Sequence, residues 1–151
     1  MAANLIINGG FETGSFPPWN AFNAVVTSSV HHSGSFSAQL MDGSTTATIY
    51  QFIDADFSKP HQFSAWFGKV GALPSPLATI TIAYFDASFN YLGLGLVISI
   101  TPGTLPDATL GNWSEFTGLT TPSPAGTVLT IVSVSRQAPP DTSNVVVDDV
   151  S

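Results

Sequence analysis

The sequence holds no cysteine, which excludes disulfides and thiolate metal sites and leaves the redox compartment open. Basic residues are almost missing as well: three Lys and Arg stand against ten Asp and Glu, a net charge of −7. Phosphate backbones and anionic lipid surfaces call for clusters of Lys and Arg, so the composition argues against nucleic acid and acidic membranes as partners. Charged residues of both signs reach only 9%, against about 25% in ordinary soluble domains. Surfaces this poor in charge suit exposed, secreted or particle-forming proteins, and chains that bury area against copies of themselves. Long apolar runs are lacking: the longest, Tyr91 to Ile100, is interrupted by Gly93 and Gly95 and is far too short to cross a bilayer. The expectation is a soluble chain with no membrane insertion. Met1-Ala2-Ala3-Asn4 carries neither a basic stretch nor an apolar one, so no signal peptide is visible. No window keeps a helical period.

What is present is a succession of short runs rich in Val, Ile, Thr, Phe and Tyr, separated by Gly, Pro, Asn and Ser. They predict strands near 4–8, 23–30, 35–41, 46–53, 61–70, 77–86, 91–100, 112–119, 126–136 and 143–151. Phe36, Ala38 and Leu40 alternate with Ser35, Ser37 and Gln39, as Ile80, Ile82 and Tyr84 do with Thr79, Thr81 and Ala83. That alternation is the pattern of half-buried antiparallel strands. Turn residues fill the gaps, among them Ser33-Gly34, Asp42-Gly43, Thr101-Pro102-Gly103 and Pro139-Pro140. Strands without intervening helices imply a sandwich of two antiparallel sheets, and their number favours a jelly roll. The 151 residues form a single domain. Ser151 follows directly on a strong strand, so the natural protein is expected to continue beyond it.

The run Val145-Val146-Val147-Asp148-Asp149-Val150 breaks the pattern, because two adjacent carboxylates sit in an otherwise buried strand. If the strand continues through both, they point to opposite faces and one turns inward. An inward carboxylate needs a cation or several hydrogen-bond donors. With so few basic residues, a metal shared with Glu12 of the Asn8-Gly9-Gly10-Phe11-Glu12 turn is the expected partner; capping of backbone N–H groups is the alternative.

Several segments resemble a known family. Asn4 to Ser15 with Pro18-Trp19, then His32 to Leu40, Phe63-Ser64-Ala65-Trp66, Trp113 to Thr117 and Val147 to Ser151 are similar, in order, to galactose-binding-like jelly-roll carbohydrate-binding modules. The resemblance implies a calcium ion between the first loop, the His-Ser-Gly turn and the last strand. Its ligands would be Glu12 and Asp148 by side chain, and Gly10, His32 and Ser35 by backbone carbonyl. It also makes Trp19 a core or sandwich-end residue, with Trp113 read the same way. More narrowly, the opening together with Lys69 to Pro76 and Tyr84 to Asn90 is similar to N-terminal domains that precede collagen-like repeats in surface proteins of spore-forming bacteria. That likeness implies Gly-X-Y repeats after Ser151 and a homotrimer.

Catalytic arrangements find little support. Two aspartates on opposite faces cannot flank one bond, His31 and His32 diverge if extended, and no Gly-x-Ser-x-Gly elbow or phosphate loop occurs. The expectation is therefore a non-catalytic recognition or attachment module, extracellular or on a cell or spore surface. A glycan would stack on aromatic faces. Trp66 lies opposite Phe63, Ala65 and Phe67 along its strand and is the expected platform, joined by Tyr84, Tyr91 and Tyr50 with Gln51 or Gln62 as polar partners. Cross-strand packing or burial between subunits is the competing reading of these aromatics. The alternative function is a trimeric assembly or anchoring domain at the head of a collagen-like surface fibre.

Overall fold

A computed structural model describes residues 4–151. Ten strands alternate with turns: β1 (Asn20–Phe22), β2 (Ala24–Thr27), β3 (Ser37–Leu40), β4 (Ala47–Ile53), β5 (Gln62–Val70), β6 (Ala78–Phe85), β7 (Tyr91–Ile100), β8 (Ser114–Leu119), β9 (Leu129–Arg136) and β10 (Asn144–Asp148). Among the described residues a single 3-10 turn, Ala108–Leu110, occurs, just before β8. The strands form two five-stranded sheets, the first in the order β1-β4-β9-β6-β7 and the second β2-β3-β10-β5-β8. Every named strand pairing is antiparallel. The fold is an all-β jelly-roll sandwich, as the strand pattern predicts. The last two strands, β9 and β10, occupy the centres of their respective sheets.

Period-two alternation places the core between the sheets. From the first sheet come Ile49, Ile80, Ile82, Tyr84, Val132 and Val134; from the second, Ala38, Leu40, Phe63, Ala65, Phe67, Val145 and Val147. The Leu92 to Leu96 segment carries the irregularity expected from its glycines, with register shifts between Ile82 and Ala83 and between Tyr84 and Phe85 on the neighbouring strand. A Cβ at Gly95 would collide with the Tyr84 phenol, so glycine there makes room for a core side chain of the same chain. The Asp86 to Asn90 loop is a hairpin connection: the Asp86 carboxylate accepts from Ser88 N (2.9 Å), Asn90 N (2.9 Å) and Asn90 Nδ2 (3.0 Å).

The structure departs from the expected elements at the start of the chain. Residues 4–8 form no strand. The Ile7 backbone bonds instead to a side chain: its N–H donates to Gln51 Oε1 and its carbonyl accepts from Gln51 Nε2, both at 2.9 Å. Asn8 and Phe11 then adopt positive φ, which ends any extended run. The first strand is β1, which pairs with β4 through Asn20↔Tyr50 and Phe22↔Thr48.

Candidate functional site

Two regions of the sandwich collect the residues singled out above, and they lie on different sheets. The first is a carboxylate cluster at the end of β10. Val145 and Val147 enter the core, so Val146 and Asp148 face away from it. Asp148 stands opposite Trp66 of β5 in the register, and directly paired residues share a face. Asp148 is nevertheless fully buried, because the connection between β2 and β3 folds over it. His32 N (2.8 Å), Ser33 N (3.2 Å) and Asp149 N (2.7 Å) donate to its carboxylate. Burial pushes its pKa up to about 6 despite these donors, and the neighbouring Asp149 adds to the rise.

The expectation that Asp148 and Asp149 point to opposite faces, with one reaching the interior, is incorrect. Asp149 has φ 50°, which takes it out of the strand. Its carboxylate meets the same loop, at His32 Nδ1 (2.6 Å) and Ser33 Oγ (2.7 Å). Glu12 reaches that loop from the other side and accepts from Ser35 N (3.0 Å) and Phe36 N (3.0 Å). Gly10 lies among all three carboxylates: an added Cβ would sit 3.5 Å from Glu12 Cγ, 3.7 Å from Asp149 Oδ1 and 3.9 Å from Asp148 Oδ1.

The predicted metal set of Gly10, Glu12, His32, Ser35 and Asp148 is thus gathered in one place. The contacts of His32 and Ser35 with the carboxylates are made through their N–H groups rather than their carbonyls. Among the described residues, no three His, Asp or Glu side chains form a ready-made metal cage. The donor chemistry still suits a hard cation: oxygens of Asp148 and Asp149 and the stem of Glu12 adjoin a residue without a side chain, and the basic residues are engaged elsewhere or distant. Lys69 donates to the Leu73 carbonyl (2.9 Å), and Arg136 is buried against the Thr142 and Ser143 carbonyls.

An aromatic cluster adjoins the carboxylates. The His32 ring stacks on Trp66 with centroids 4.1 Å apart and planes at 14°, and Trp113 meets His32 edge-on at 5.7 Å. Trp66 does face away from Phe63, Ala65 and Phe67, as its strand position predicts. It is half-buried under His32, however, and is not an open platform. Trp19 is a core residue whose indole N–H donates to Asn8 O (3.0 Å).

Tyr50, Gln51, Tyr84 and Tyr91 sit on the first sheet, so they cannot join Trp66. Two of them are not available to a ligand. Tyr84 is buried beside Ile82, and its hydroxyl donates to Thr121 O at 2.6 Å. Gln51 is buried and spent on Ile7. Gln62 is exposed at the start of β5, on the second sheet. Tyr50 and Tyr91 do lie on the outward face of the first sheet, within a larger aromatic field that the sequence reading missed. Tyr50 meets Phe52 at 5.7 Å, Phe52 meets Phe89 at 6.4 Å, and Phe85 meets Tyr91 at 6.0 Å. Phe22, Leu94, Val97 and Val128 are exposed around them. The five strands of this sheet contain one charged residue, Arg136, and it is buried. The signal was present in Thr48-Tyr50-Phe52, which alternates with Ala47, Ile49, Gln51 and Ile53.

No family model matches the chain, and no curated protein matches it. Solved structures do. A family 16 carbohydrate-binding module superposes with a TM-score of 0.72 at 18% identity, covering 98% of each chain. TmCBM61, solved in complex with β-1,4-galactotriose, gives 0.68 at 18% identity over 99% of this chain and 97% of its own. The CBM22-1 xylan-binding domain of Paenibacillus barcinonensis Xyn10C gives 0.64 at 16% identity, covering 94% and 88%. These likenesses establish the fold as that of carbohydrate-binding modules.

Proposed function

We propose that this protein is a non-catalytic glycan-recognition module that binds saccharide on the outward face of the first sheet. The observation that carries the reading is the group Tyr50, Phe52, Phe85 and Tyr91, displayed on a sheet face without charge. Pyranose C–H surfaces stack on such rings, and hydroxyls bond to nearby polar groups. Thr48, Ser133 and Ser135 on the same face supply hydroxyls, and Thr48 and Ser135 already lie 3.1 Å apart. The shared fold with modules described as binding galactotriose and xylan supports this class of ligand. Calorimetric titration with xylo-, gluco- and galacto-oligosaccharides tests it. Tyr91→Ala and Tyr50→Ala should each weaken binding about tenfold, whereas Trp66→Phe should leave it unchanged. Loss of binding only in the Trp66 variant would move the site to the second sheet.

The same reading includes a structural calcium ion, held by Glu12 and Asp148 side chains with backbone oxygens of Gly10, His32 and Ser35. It would supply the positive charge that this cluster of carboxylates lacks, and would tie the first loop to the last strand. Chelator should lower the melting temperature of the wild-type protein and leave Glu12→Gln unaffected. An identical melt with and without chelator would remove the ion from the proposal.

A second reading concerns the same sheet. Phe22, Phe52, Leu94 and Val97 are all exposed on strands without surface charge, which also suits burial against other copies of the chain. This is the trimeric head of a collagen-like fibre, displayed outside the cell or on a spore. Molar mass by light scattering separates the two: a monomer that binds oligosaccharide supports the first, and a stable trimer that loses glycan access supports the second.

A further inference from the structure

Among the described residues, six other than glycine stand at positive φ. Four of them are Asn or Asp, whose short side chains tolerate that backbone. The other two are Phe11 and Phe89, at φ 58° and 62°. A bulky side chain raises the energy of a left-handed backbone, so each needs a compensating gain. Phe11 has one in the core, where its ring is fully buried and meets Trp19 at 5.7 Å. Phe89 has none there: it is 63% exposed, at the tip of the β6–β7 hairpin. Asp86 N donates to Asn90 O (3.0 Å), which leaves Ala87, Ser88 and Phe89 as the loop. Glycine is the ordinary occupant of the left-handed position in such a loop, and this chain places glycine at seven other positive-φ positions.

The loop is braced in that conformation. The Asp86 carboxylate accepts from Ser88 N, Asn90 N and Asn90 Nδ2, and its carbonyl accepts from Phe89 N at 3.1 Å. The Asn90 side-chain amide holds the Asp86 carboxyl below the usual carboxylate range, so it remains an acceptor at neutral pH. So fixed, the Phe89 ring points back across the sheet. β9 lies between β4 and β6, yet Phe89 reaches Phe52 of β4 at 6.4 Å, with the two planes at 74°. The ring therefore overhangs the start of β9 and makes a corner with Phe52. Two rings near a right angle can touch one ligand on two sides. A ring already held in place loses little freedom when that ligand arrives. Charge narrows the ligand further. Arg136 is buried, Lys69 is held by Leu73 O, and Asp86 sets a carboxylate beside the corner, so an acidic sugar would meet repulsion there.

We propose, resting on the glycan reading above, that Phe89 is a raised binding ring of that face, stacking on an uncharged sugar unit, and that Asp86 is its positioning residue. Titration calorimetry with the xylo-, gluco- or galacto-oligosaccharide that the wild-type protein binds most tightly tests this, with melting curves on the same samples. Phe89→Gly removes the ring and relieves the backbone, so it should weaken binding about tenfold while the melting temperature holds or rises slightly. A purely structural ring would give the reverse, a lower melting temperature at unchanged affinity. Asp86→Ala should weaken binding about fivefold through a larger entropic cost, because the loosened loop must be ordered on binding. In the Phe89→Gly background the same substitution should cost nothing more, since no ring is left to position. Oligogalacturonate should not bind where neutral galacto-oligosaccharide saturates. Wild-type affinity in Phe89→Gly beside weakened binding in Tyr91→Ala would overturn the role of Phe89 and leave the glycan reading standing. Equal losses from Asp86→Ala with and without the ring would overturn the positioning role, and tight binding of oligogalacturonate the uncharged unit. A wild-type protein that binds no saccharide would overturn both this proposal and the glycan reading.

Discussion

Gly34 shows how much of the carboxylate cluster rests on one missing side chain. Its φ is 62°, and a Cβ there would overlap the Glu12 carboxylate. Gly34→Ala should therefore cost about 2 kcal/mol, part from the left-handed backbone and part from the collision. In a Glu12→Ala background the collision disappears, so the penalty should fall to about 1 kcal/mol, measured by urea unfolding. Asp148 is the converse case, a side chain that others depend on. Asp148→Ala leaves the N–H groups of His32, Ser33 and Asp149 without their acceptor. A loss of about 3 kcal/mol is expected, with faster amide exchange at His32 and Ser33.

At the scale of elements, side chains complete what strand pairing leaves open. Gln51, pointing out of β4 into the core, bonds both backbone groups of Ile7. Gln51→Leu should cost about 2 kcal/mol in chemical denaturation and raise amide exchange at Ile7 while sparing β4 itself. This contact also explains what the sequence could not disclose about residues 4–8. Their apolar character is that of a strand, but their partner is an amide side chain 44 positions away. Where partners are strands, the alternation was readable: Phe63-Ala65-Phe67 and Ile80-Ile82-Tyr84 enter the core as their spacing says. Tyr84 belonged to that inward row from the start, so treating it as a surface ring contradicted its own strand. The carboxylate pair was legible as an anomaly, and the loops it meets are the ones that the family resemblance implied, although His32 and Ser35 meet the carboxylates through N–H groups. Its burial was misplaced because the cover is a loop, whose path no local pattern specifies. The aromatic field of the first sheet was half legible, since Tyr50 and Tyr91 were recognised while Phe52 and Phe85 were not singled out.

For the whole molecule, the two sheets divide the labour. The second sheet carries the carboxylate cluster on its outer side, with the 3-10 turn packed against Gly68. The first sheet is left bare, uncharged and aromatic. A Phe52→Lys, Tyr91→Lys double substitution should abolish glycan binding and any self-association together, with little change in melting temperature, because both residues are exposed. Sedimentation and melting curves on the same sample check this. Strand order carries a different consequence, one of timing. Both sheets are completed from the middle, by β9 and β10. A growing chain therefore presents two separated halves of each sheet, β4 apart from β6 and β3 apart from β5, until its final strands emerge. Neither sheet can close early, and folding waits on contacts between distant parts of the chain. A chain stopped after Gln137 should remain unfolded although it contains nine of the ten strands, and the newly synthesised polypeptide stays extended and pliable until β10 has emerged.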